Sequence, residues 1–138
     1  MATPREPWNI RPAKKIADIS PSLKTEVETK ARELIDKVLK PKYVRPPKKN
    51  ERCNFIIDIG GKWFRNYFYF IATYACPGPN AASPTFEQKF VRIEPLRDGT
   101  FALYAMRYTG NEWVGVLDAV SADECMKAIR DDSWFLLE

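Results

Sequence analysis

At 138 residues, 45% hydrophobic and 29% charged, the chain has the size and composition of one soluble domain that buries its core without disulfide or metal staples. Its longest apolar run, around residues 67–75, is too short to cross a bilayer and too aromatic and too far along the chain for a signal peptide, so a cytoplasmic protein is expected. It has no histidine, which excludes Ser-His-Asp and Cys-His nucleophile arrangements and the commonest metal ligand, and its net charge of +4 divides into +7 over residues 1–52 and −3 over residues 53–138.

Residues 1–19 carry Pro4, Pro7 and Pro12 without a sustained period, and read as an extended arm whose Trp8 and Ile10 dock on the body. A single domain over residues 20–138 follows. Ser20-Pro21 is a helix start, with serine at the cap and proline where a backbone donor would be orphaned. Leu23, Val27, Ala31, Leu34, Ile35 and Val38 then recur at helical spacing, and Pro41 is expected to stop the helix near Leu39 or Lys40. The stretch that follows is the most basic in the chain, with Lys40, Lys42, Arg45, Lys48, Lys49 and Arg52 against one acid, and Arg45-Pro46-Pro47 keeps it extended.

From residue 53 the apolar period changes to two. Cys53, Phe55, Ile57 and Ile59 define one buried face, with Ile56 the exception. Gly60-Gly61 reads as a hairpin turn, because primed turns need positive φ, so the second strand would occupy residues 62–75. In its pleat Phe64, Phe68, Phe70, Ala72 and Tyr74 would face the core, and Trp63, Tyr67, Tyr69, Ile71 and Thr73 the other side. A proline loop leads to a third strand at 86–94, Asp98-Gly99 to a fourth at 100–108, and Thr109-Gly110-Asn111 to a fifth at 112–117. Ser121-Ala122-Asp123-Glu124 is a capping box that opens a helix of about ten residues, followed by an apolar tail from Trp134 to Leu137. The fold class is α+β: an N-terminal helix, a five-stranded antiparallel meander forming a curved sheet, and a C-terminal helix, with the helices on one sheet face.

Function is expected on the face turned from the helices. Trp63, Tyr67, Tyr69, Tyr104, Met106 and Tyr108 would share it, and such amphipathic rings belong where one end is apolar and the other wet. The leading expectation is non-enzymatic binding of a small apolar or aromatic ligand there, or self-association as a homodimer. The alternative is nucleic acid, its phosphates held by Lys40, Lys42, Arg45, Lys48, Lys49 and Arg52 beside the sheet aromatics. Cys53, Cys76 and Cys125 show no CxxC spacing and are expected as buried thiols, and nothing calls for a cofactor or a metal.

Asp58 with Glu87-Gln88-Lys89 resembles the aspartate and Glu-x-Lys set of the PD-(D/E)xK nucleases. The resemblance covers three residues and implies a Mg-dependent nuclease, in which two carboxylates bind Mg²⁺ and lysine positions the water. The segment after Lys89 departs from that family, reading as two further hairpin strands where the family has a helix.

Overall fold

A computed structural model describes residues 19–79, 81–107 and 111–137. The arm with Trp8 and Ile10, Tyr108 and the Thr109-Gly110 part of the last turn lie outside the described residues.

Helix α1, Pro21–Leu34, begins as its cap requires: Ser20 Oγ accepts from the Leu23 amide at 3.2 Å. Val27 and Ala31 on its inner face are wholly buried. The helix does not stop at Pro41. It passes through a π-helical segment, Ile35–Leu39, in which the Lys40 amide reaches back to the Ile35 carbonyl, and resumes as α2, Lys40–Tyr43. Proline lacks the amide and clashes with the carbonyl four residues back, and the wider π turn accommodates both defects.

Five strands follow in the order β1 (Phe55–Phe64), β2 (Tyr67–Ala75), β3 (Thr85–Pro95), β4 (Phe101–Arg107) and β5 (Glu112–Val120), each antiparallel to its neighbours. Helix α3, Ala122–Asp131, carries the complete capping box of Ser121 and Glu124. The chain is an α+β domain whose helices contact the sheet at β1, β4 and β5. Their apolar faces close one core with Ile59, Phe68, Phe70, Val91, Ile93, Leu103 and Ala105 from one side of the sheet. In the tail, Phe135 and Leu137 are buried and Trp134 and Leu136 exposed. Among the described residues, no helix is long and apolar enough to cross a membrane.

The first hairpin differs from the expectation. Gly60 and Gly61 are inside β1, neither with positive φ, and the turn is Arg65-Asn66, with Arg65 at φ 57°. Gly61 is needed for closeness: a Cβ there would stand 2.7 Å from the Phe68 ring. Moving the turn changes the faces, because opposed residues of an antiparallel pair share one. Trp63 pairs with Phe68 and joins the helix side, whereas Phe64 pairs with Tyr67 and is 49% exposed. The expected assignments of Trp63 and Phe64 are thus exchanged.

A bulge at Ile57 makes the second correction. Ile56 pairs with Tyr74 and Asp58 with Thr73, so the extra residue reverses the parity of β1. Ile56 and Ile59 therefore face the core and Phe55 is buried as expected, while Ile57 and Cys53 are exposed. Of the three thiols expected to be buried, only Cys125 is fully so; Cys76 is half-buried.

Candidate functional site

Sheet register assembles a row across all five strands on the side turned from the helices. Lys62 of β1 pairs with Tyr69, Tyr69 with Arg92, Arg92 with Tyr104 and Tyr104 with Gly115. Cations and aromatic rings thus alternate along one line, closed at β5 by Gly115, beside which the Tyr104 ring lies. Met106 and Trp113 pair in the next row of the same face.

Arg92 is the hub of this face. Its guanidinium carbon lies 4.3 Å from the ring centre of Tyr104, 4.9 Å from Tyr67 and 5.3 Å from Trp113, so three strands each contribute a ring to one cation. Its buried Nε has no hydrogen-bond partner among the described residues. Glu94, 1% exposed, accepts a hydrogen bond from the Tyr104 hydroxyl at 3.0 Å, which fixes that ring from its polar end. Lys89 extends its ammonium over Tyr69 at 4.6 Å and Phe64 at 5.6 Å. With Tyr67 and Trp113 also at its edges, Tyr69 is only 8% exposed.

Of the residues expected on this face, Tyr67, Tyr69, Tyr104 and Met106 are brought together. Trp63 is not. It packs edge-on to Phe68 at 5.3 Å on the helix side, beneath the Lys24 ammonium of α1. Lys62, Phe64, Arg92, Glu94 and Trp113 were not anticipated there. Trp113 was within reach of the sequence, since a hairpin pairing Arg107 with Glu112 must also pair Met106 with Trp113. Lys89 and Arg92 differ in parity and share a face only because Phe90 bulges between them, a feature alternation does not disclose.

The basic segment is elsewhere. The Arg45 amide donates to the Ile56 carbonyl at 3.3 Å, which puts residues 44–52 beside the start of β1, about 20 Å along the strand from Lys62. Lys40 is paired with Asp58 at 3.3 Å and Asp36 at 3.6 Å, and Lys42 lies over Tyr43. Arg45 is paired with Glu51 at 2.9 Å and holds that carboxyl below its ordinary range, chiefly through the hydrogen bond. Lys48, Lys49 and Arg52 are exposed. The segment and the aromatic row do not form one groove.

Asp58 and Glu87 do converge, flanking Thr73 in register and lining a shallow depression of about 210 Å³. Lys89, the third member of the nuclease-like set, turns its ammonium away onto Tyr69 and Phe64. No cluster of three metal-binding side chains occurs among the described residues.

A family model described as Domain of unknown function (DUF3024) matches residues 19–136, and the chain belongs to that family. No curated protein and no solved structure matches it.

Proposed function

We propose that the protein is a non-catalytic binding module that receives its partner on the sheet face turned from the described helices, around Arg92, Tyr67, Tyr69, Tyr104, Met106 and Trp113. One observation carries this reading: Tyr67, Tyr104 and Trp113 are only half-buried although they gather about a single guanidinium, with half-buried Met106 paired to Trp113, while the opposite face is sealed by α1 and α3. Half-buried aromatic rings of this density belong to contact surfaces. Of the expected occupants, an aromatic ligand suits the face better than a wholly apolar one, because hydrocarbon laid over Lys62, Lys89 and Arg92 would strip those charges of water without replacing it.

The test uses 8-anilinonaphthalene-1-sulfonate, an aromatic probe, on the folded protein. Saturable fluorescence enhancement that is lost in Tyr67→Ala and Met106→Asp, with circular dichroism unchanged, is the expected result. Enhancement that survives both substitutions, or none at all, refutes the reading. Sedimentation equilibrium on the same samples reports self-association: a dimer dispersed by Met106→Asp would make a second copy the occupant.

A further inference from the structure

We infer that the partner on this face is single-stranded nucleic acid, held at the exposed corner of Lys62, Phe64, Arg65 and Lys89 with Arg92 behind it; this rests on the reading of the face turned from the described helices as the working surface. Residues 53–138 carry net charge −3, yet these four cations collect at the hairpin end of one face. None of the four has a carboxylate within ion-pair distance among the described residues. Between them stands Phe64, 49% exposed, with the Arg65 guanidinium 5.3 Å and the Lys89 ammonium 5.6 Å from its ring centre. Lys62 and Arg92 lie two strands apart in one row, about 10 Å along the sheet.

The chemistry that matches an exposed ring bracketed by unpaired cations is a flat base joined to phosphates. A single strand offers both: a base stacks on Phe64 and against the edge of Tyr67 while neighbouring phosphates meet Lys62, Arg65 and Lys89. A duplex hides its base faces and would gain only the charge attraction. A second copy docked two-fold through Phe64 would set this cationic cluster against itself. On the same face Glu87 and Asp58, the latter paired with Lys40, stand in the row just beyond Lys89, so that Glu87 bounds the patch and confines a strand to the hairpin end.

The experiment is fluorescence anisotropy of a labelled oligothymidine of about a dozen nucleotides. If three phosphates are neutralised, affinity falls about 20-fold between about 50 and 200 mM salt. Phe64→Ala, and separately the pair Lys62→Glu with Lys89→Glu, should each weaken binding about tenfold or more, as should pairing the strand into a duplex. The pair Lys48→Glu with Lys49→Glu should change it by less than about threefold. No binding at the lower salt, equal affinity for duplex, or a loss through Lys48 and Lys49 in place of Lys62 and Lys89 overturns the inference. If the sulfonate probe binds this face and the strand does not, the inference alone falls; if neither binds, the reading of the face falls with it.

Discussion

Single residues in this protein are governed by what their neighbours leave room for, and the two consecutive glycines show it most clearly. A Cβ on Gly61 would sit 2.7 and 2.9 Å from atoms of the Phe68 ring, whereas one on Gly60 would meet nothing within 4 Å. Gly61→Ala should therefore destabilise by about 2 kcal/mol through overpacking, while Gly60→Ala should be neutral or slightly stabilising, as read by urea denaturation. Equal losses at both positions would restore the turn reading that the dipeptide invites. Cys125 gives a second case. Burial pushes its thiol from the ordinary 9.0 up to about 12. The folded pKa is the higher one, so this group's contribution is complete below pH 9.0 and is lost as pH rises towards 12. Between about pH 8 and 10 the loss is about 1.4 kcal/mol. Cys125→Ala lowers stability by leaving a cavity but removes that titration, so the gap between variant and wild type should narrow by the same amount over that interval. A constant gap would mean that the thiol ionises as readily folded as unfolded.

At the scale of elements, Arg92 ties β3 to β2, β4 and β5 through one ring from each. Cation and ring attract by about 2 kcal/mol when shielded from water, so Arg92→Met, similar in reach but uncharged, should lower stability by about that much in urea titrations. Unchanged stability would show that Arg92 does not hold these strands together. The elements themselves were legible: the cap at Ser20-Pro21, the box at Ser121 to Glu124 and the Asp98-Gly99 turn all stand where local chemistry puts them, Gly99 at φ 81°. The faces were less so. Period-two reading assumes an uninterrupted pleat, and this sheet breaks it at Ile57 and Phe90 and turns at Arg65, where no glycine announces the positive φ. Tyr67, Tyr69, Tyr104 and Met106 share one face, as alternation predicts, because no bulge lies between members of either pair. Trp63 is on the other face because a turn separates it from Tyr67.

For the whole molecule, the arrangement of charge matters more than its sum. The net +4 arises in the first 52 residues, yet residues 40–52 are partly spent on Asp36, Asp58 and Glu51, and residues 44–52 stand at the other end of β1 from the aromatic row. The face turned from the described helices is itself polarised along its strands, with Lys62, Arg65, Lys89 and Arg92 towards the first hairpin and Asp58 and Glu87 in the next row beyond Lys89. If a strand is confined to the hairpin end by that acidic boundary, reversing part of the boundary should lengthen its footprint. Glu87→Lys is therefore expected to tighten single-strand binding and steepen its dependence on log salt by about 0.7, one further phosphate contact. The same charge change made on the exposed face of α1, as Glu28→Lys, raises net charge equally but lies across the sheet from the proposed track. Its effect should be small and its salt slope unchanged. Equal gains from the two variants would mean that attraction follows overall charge and that no track crosses this face.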